Sequence, residues 1–177
     1  MGILETLTRS VIVLLLAVTP SAAQEGFFVG ATVPFNKLSG DLSGLDSGNG
    51  GGVHGGFGVN RYLSFIADDF RTKHNVLGGN GSIYLKGITL DAKVNIPVPG
   101  SVLEPYVRGG VGRYSVGRTG NMIRGKGTQA GVGLDIVLFP ALRFTVGMMS
   151  RRIDFDSEPP TKGSVSSLEY GLTFFFL

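Results

Sequence analysis

Along most of this chain apolar side chains recur at every second position, the period of a strand with two unlike faces. The pattern is plainest near the end. Leu168, Tyr170, Leu172, Phe174 and Phe176 alternate with Ser167, Glu169, Gly171, Thr173 and Phe175, so one face is large and greasy and the other mostly small or polar. Such a strand suits a barrel wall with lipid on one side and a polar lumen on the other. Eight alternating segments can be drawn: 26–35, 51–60, 62–70, 81–96, 102–115, 127–138, 141–150 and 165–176. Each is near the length of about 9–11 residues with which a tilted strand crosses a bilayer.

The connections between segments add direction. Polar stretches at 36–50, 69–80, 115–126 and 151–164 alternate with short links at Asn60-Arg61-Tyr62, Pro97-Val98-Pro99-Gly100 and Phe139-Pro140. Long links at one end and short turns at the other predict an all-β, eight-stranded, antiparallel up-and-down transmembrane β-barrel. The long loops lie outside, and both chain ends lie on the periplasmic side. In segment four Ile88, Leu90, Ala92, Val94 and Ile96 face out, while Thr89, Asp91, Lys93 and Asn95 face in. Leu134 and Ile136 face out in segment six, as do Phe144, Val146 and Met148 in segment seven. Ile83 and Leu85 fall on the opposite parity, which reads as a bulge near Gly87 or a later strand start. A barrel of eight strands has an interior that side chains can fill. The inward glycines Gly56, Gly58, Gly110, Gly112, Gly131, Gly133, Gly147 and Gly171 leave room there for Tyr106, Arg108 and Arg143.

The short turns fix register and so predict partners on the inner face. A turn centred on Arg61 sets His54 opposite Asp68. A turn centred between Val98 and Pro99 sets Lys93 opposite Glu104 and Thr89 opposite Arg108. A turn centred on Phe139 sets Asp135 opposite Arg143. Asp91, Arg108 and Glu169 lie further along the lumen as a candidate cluster. An unpaired ion in so narrow a space is costly to desolvate, so pairing is required. His54 beside Asp68 also has the form of a general base with its orienting carboxylate, for which Ser64 or Ser82 is the candidate nucleophile. Neither serine sits in a catalytic motif, and the structural reading of the pair is preferred. His74 reads as a solvated loop residue.

Composition bears on export and chemistry. Val11–Val18 is an apolar run flanked by Arg9 and Pro20, followed by Ser21-Ala22-Ala23, the form of a signal peptide. Cleavage after Ala23 is expected, with a barrel domain over 24–177. The run is too short for a membrane helix, which takes about 20 residues. Without Glu5 and Arg9 the net charge is still +3, too small and scattered an excess to argue for nucleic acid. There is no Cys, so disulfides do not hold the exported chain. No set of His and carboxylates has metal spacing, and Gly48–Gly52 lacks the Lys and helix of a phosphate loop. No metal or cofactor is expected.

Three runs carry a resemblance: Phe27-Phe28-Val29-Gly30-Ala31, Glu104-Pro105-Tyr106-Val107-Arg108-Gly109-Gly110-Val111-Gly112, and the Tyr170–Phe176 ending. With the loop asymmetry and the export signal, the chain resembles the small eight-stranded outer-membrane barrels of the OmpA, OmpX and opacity-protein type. The resemblance implies a monomer inserted by the barrel-assembly machinery. That machinery would read Tyr170, Leu172, Phe174 and Phe176, although Leu177 follows where such chains end on Phe. It also implies a barrel without the peptidoglycan-binding module of longer relatives. The function expected is non-enzymatic, structural or surface-interacting, in a Gram-negative outer membrane. The third loop, with Arg118, Arg124 and Lys126, is the candidate contact for lipopolysaccharide phosphates or anionic host surfaces. Three other readings are weighed: a lipid A deacylase with a lipid-facing Ser–His pair, a small passive channel, and a soluble lipocalin-like barrel.

Overall fold

The computed structural model describes residues 25–79 and 81–176; the signal-peptide reading of 1–23 and the question of Leu177 lie outside them. Eight strands run in chain order: β1 Gly26–Gly40, β2 Gly48–Gly58, β3 Leu63–Asn75, β4 Ser82–Asn95, β5 Leu103–Arg118, β6 Asn121–Phe139, β7 Leu142–Phe155 and β8 Thr161–Phe175. Each pairs antiparallel with its sequence neighbour, and β1 closes on β8. The fold is therefore the all-β, up-and-down barrel that the alternation predicts. Closure leaves no sheet edge, as a sheet in lipid requires.

The strands are longer than the segments read from sequence, and the added length is mostly at one end. β1, β3, β5 and β7 continue past residues 35, 70, 115 and 150, and β2, β6 and β8 begin before 51, 127 and 165. Most of what reads as long polar loop is thus paired strand. Only 41–47, 76–81, 119–120 and 156–160 remain as connections at that end.

These extensions keep the pleat but exchange the character of its faces. Near the short-turn end the outward side chains are apolar and exposed: Phe27 68%, Leu90 64% and Ile88 63%. The inward ones there are polar. Beyond that band the outward positions become Lys37, Arg71, Lys86, Arg113, Lys126 and Arg152, all exposed. The inward ones become Leu38, Phe70, Leu85, Tyr114, Ile153, Phe155 and Val165, a buried apolar cluster closed over by Leu42 from the 41–47 connection. The barrel is lined and clad like a membrane protein in its lower part and like a soluble β-protein above.

This exchange corrects the expected bulge near Gly87. The β3–β4 register is unbroken from Leu63↔Val94 to Asn75↔Ser82. Ile83 and Leu85 face inward in phase with Asp91 and Lys93; the surroundings change, not the period. A bulge lies instead between Val137 and Phe139.

Register differs from expectation at two turns. Lys93 stands opposite Arg108, not Glu104, and Thr89 opposite Gly112, not Arg108. The tight turn is Val98–Ser101, closed by a Ser101 N–H to Val98 carbonyl bond of 3.1 Å, with Gly100 at φ +74° after Pro99. Pro97 and Pro99 have no N–H for a ladder, so the β4–β5 pairing ends at Asn95↔Tyr106 with one further bond, from the Ile96 N–H to the Pro105 carbonyl at 2.7 Å. At the third turn the bulge moves Asp135 opposite Thr145, and Arg143 opposite Val137. His54 stands opposite Asp68.

Candidate functional site

In the observed register, inward charges that face each other directly have the same sign. Lys93 faces Arg108, and Glu104 faces Asp135. Neutralisation therefore runs across the lumen and along the diagonals. Lys93 reaches past β5 to Asp135, with Nζ 2.5 Å from Oδ2, and its ammonium lies 4.1 Å from the Tyr106 ring centroid. Asn95 and Thr145 donate to the same carboxylate at 2.9 and 2.8 Å. Arg143 pairs with Glu104, stands 3.9 Å from Asp135, and covers the Phe175 ring. Of the expected pairs, Lys93–Glu104 is replaced by these two contacts.

A second cluster lies deeper. Arg108 pairs with both Asp68 and Asp91. Asp91 also accepts from Thr89 at 3.1 Å and from the Gln129 amide at 2.6 and 2.7 Å. Gln129 in turn accepts from Arg151 Nε at 2.9 Å. Arg151 donates to Ser167 and Glu169 and lies over the Phe70 ring. Glu169 thus joins the cluster through Arg151 rather than through Arg108. Gln129 stands on the inward parity of segment six, as the alternation predicts; Arg151 is the ion of this cluster that sequence reasoning missed. Arg151 was assigned to a loop, because the chain around it is polar on the outward parity and apolar on the inward one.

Space is shared through glycine. A methyl group at Gly133 or Gly147 would collide with the Tyr106 hydroxyl, and one at Gly56 with the Phe28 ring. The Phe28, Ile66 and Phe175 cluster floors the lumen. What remains between the charged layers is a cavity of about 40 Å³ beside His54, Tyr106, Arg143 and Thr145.

His54 is directed into this interior. Its Nε2 is 2.9 Å from Thr173 Oγ1, and its Nδ1 is 3.8 Å from Asp68. Its ring bonds to a threonine, not to a serine. Ser64 lines the same cavity, while Ser82 is at the other end of the barrel, bonded to Asn75. No lipid-facing Ser–His pair forms among the described residues. They also contain no group of three or more His, Cys or carboxylates placed to hold a metal ion.

His74 is not the solvated loop residue expected. It is 1% exposed, on the inward face near the end of β3 and above the apolar band. The Asp46 carbonyl can only accept, so Nδ1 donates to it at 3.0 Å, and Nε2 accepts from the Thr72 hydroxyl at 2.9 Å. Thr72 receives the Asn36 amide at 3.1 Å, and Asn36 Oδ1 receives the Ser167 hydroxyl at 2.5 Å. A one-way donor chain therefore runs from Arg151 to the 41–47 connection. Burial holds the His74 pKa below the ordinary imidazole value.

The expected cationic third loop is a β-hairpin with its turn at 119–120. Arg118 ends β5, while Arg124 and Lys126 project outward from β6 opposite Ser115 and Arg113. In β8 the row Tyr170, Leu172, Phe174 and Phe176 faces out, each more than a third exposed.

A family model described as "Outer membrane protein beta-barrel domain" matches residues 10–174. Neisserial surface protein A (NspA) superposes at a TM-score of 0.72, with 22% identity over 86% of this chain and 98% of that one. OprG of Pseudomonas aeruginosa gives 0.56 and 14% identity, over 88% and 99% of the two chains. Ail, the attachment invasion locus protein of Yersinia pestis, gives 0.55 and 16%, over 85% and 99%. At these identities the likeness is one of fold. No curated protein sequence matches the chain.

Proposed function

The chain belongs to the outer-membrane protein β-barrel family, and from that premise we propose a non-enzymatic surface protein that works through its outward wall and hairpin ends. It is a barrel of the outer membrane, and in this reading residues 1–23 direct its export. The observation that carries the proposal is the contrast between its two sets of charges. Inside, arginines and carboxylates are consumed by one another across a filled lumen. Outside, above the lipid band, exposed cations stand without ion-pair partners among the described residues. A site for chemistry needs an open cleft with a poised nucleophile, and the His54 environment supplies neither. The partners proposed are lipopolysaccharide at the outward wall and the assembly machinery at the outward row of β8.

The test is made on cells. The membrane-fraction protein is expected to migrate differently on gels before and after heating. Protease added to intact cells is expected to cut within 41–47 or 156–160 and to spare the turns at 59–62 and 140–141. Cutting at the short turns alone would reverse the orientation and sink the reading. His54→Ala is expected to leave the acylation of lipid A unchanged; a change would restore the deacylase alternative.

A further inference from the structure

From β4 to β8, across the upper edge of the lipid band, the outer wall forms a groove of about 1270 Å³. Its floor is apolar, from Ile88, Leu90 and Val111, and its cationic rim is Arg113, Lys126, Arg152 and Lys162, with Ile88 directly opposite Arg113. Arg113 and Lys126 are directly opposed on neighbouring strands. Like charges in that relation destabilise a sheet unless an anion lies between them. Asp154, opposite both Lys126 and Lys162, is the one carboxylate lining the groove. It leaves an excess of positive charge at the height where the greasy surface ends.

We infer that this groove seats a phosphorylated, multiply acylated glycolipid of the outer leaflet, the lipid A part of lipopolysaccharide, with acyl chains on Ile88, Leu90 and Val111 and phosphates on Arg113, Lys126, Arg152 and Lys162. An apolar floor beside a cationic rim matches an amphiphile with an anionic head. A soluble polyanion would use the rim and gain nothing from the floor. Arginine suits phosphate because its planar fork donates two hydrogen bonds at once. The inference rests on the surface-protein reading above, and it moves the lipopolysaccharide contact from the hairpin end at Arg118 to the wall below it.

The test uses the full exported chain, purified from membranes into detergent micelles, with binding followed by native mass spectrometry. The probes are bisphosphorylated lipid A, the same lipid A after phosphatase treatment, phosphatidylglycerol and inorganic phosphate. Wild type is expected to prefer bisphosphorylated lipid A over each other probe by about tenfold or more, the scale of one charged hydrogen bond. Arg113→Gln/Arg152→Gln is expected to lose that preference. Lys37→Gln/Lys73→Gln, which removes equal charge from the opposite wall, is expected to keep it. Equal binding of phosphatase-treated lipid A to wild type overturns the inference without any variant. So does equal binding of phosphatidylglycerol or free phosphate, or loss only in the Lys37/Lys73 variant. A chain that is heat-modifiable but shows no phosphate preference loses the groove and keeps the surface-protein reading. A chain that does not fractionate with membranes loses both.

Discussion

At the scale of single residues, Arg108 carries the clearest consequence. It is the shared partner of Asp68 and Asp91, and Asp91 is 4% exposed. Removing one member of a buried ionic group strands the others, at about 3–5 kcal/mol. Arg108→Ala is therefore expected to lower the urea midpoint of the folded barrel in lipid vesicles. Arg108→Met/Asp91→Leu is expected to recover part of the loss, because uncharged shapes can replace a buried pair. A midpoint unmoved by Arg108→Ala would show that the ions do not hold the wall. A second expectation concerns Gly147, whose missing side chain makes room for Tyr106. Gly147→Val should cost about 1–3 kcal/mol through overpacking, and Tyr106→Ala in the same chain should relieve most of it; additive losses would mean the ring is elsewhere. Inward parity made Asp68, Asp91, Lys93, Glu104, Arg108, Asp135 and Arg143 legible as lumen residues. Their partners were legible in part: His54 with Asp68, Arg108 with Asp91 and Arg143 with Asp135 were, and Lys93 with Asp135 and Arg143 with Glu104 were not. A pairing rule for facing residues assumes that opposite charges face each other, whereas here Lys93 faces Arg108 and Glu104 faces Asp135. Long side chains in a narrow lumen meet over distances that no local spacing encodes.

At the scale of elements, β4 shows what alternation can and cannot tell. Its outward row passes from Ile96 through Leu90 to Lys86, and its inward row from Asn95 through Asp91 to Leu85. A change of solvent along one strand looks, in sequence, like a slip of register. Leu90→Lys is expected to cost about 2 kcal/mol or more, the lipid-face penalty toward the bilayer middle. Lys86→Leu, two steps up the same face, should change stability little when both are measured by urea unfolding in vesicles. Equal effects would place the water boundary elsewhere. The same exchange hid the strand extensions, because Arg71, Lys73, Arg124 and Lys126 read as loop when only lipid-facing strands are sought. At β3 it also hid His74, whose neutral ring ties the 41–47 connection down. The pKa is lowered by folding, so the unfolded connection binds the proton more readily. The tie is complete above the ordinary imidazole value of about 6.5 and weakens as pH falls through it. Hydrogen-exchange protection at Leu42 to Asp46, taken relative to the intrinsic rate at each pH, is expected to fall between pH 7.5 and pH 5.5, and to lose that dependence in His74→Gln. Protection that stays flat in the wild type would sever the link between the ring and the connection.

At the scale of the whole molecule, the eight strands, their order and their closure were all present in the alternation, since a closed barrel is the one way to satisfy every backbone group of such strands in lipid. Absent from it was the filling of the interior, which depends on how three layers stack. Arg143 over Phe175, which packs with Phe28, forms the lowest layer, Arg108, Gln129 and Arg151 the middle, and Phe70, Tyr114 and Leu85 the top beneath Leu42. Conduction through the barrel therefore needs all three opened, and no single truncation should be enough. The wild-type protein in planar bilayers is expected to give no steady current, and so are Arg143→Ala and Arg151→Ala taken singly. Arg143→Ala/Arg151→Ala/Tyr114→Ala, which opens one position in every layer, is the variant from which discrete channel openings are expected. Those openings should favour cations, because Glu104 and Glu169 are then left facing the path without their arginines. Steady openings in the wild type would mean that the charged interior is a lining rather than a plug, and the surface-protein reading would then lose the contrast on which it depends.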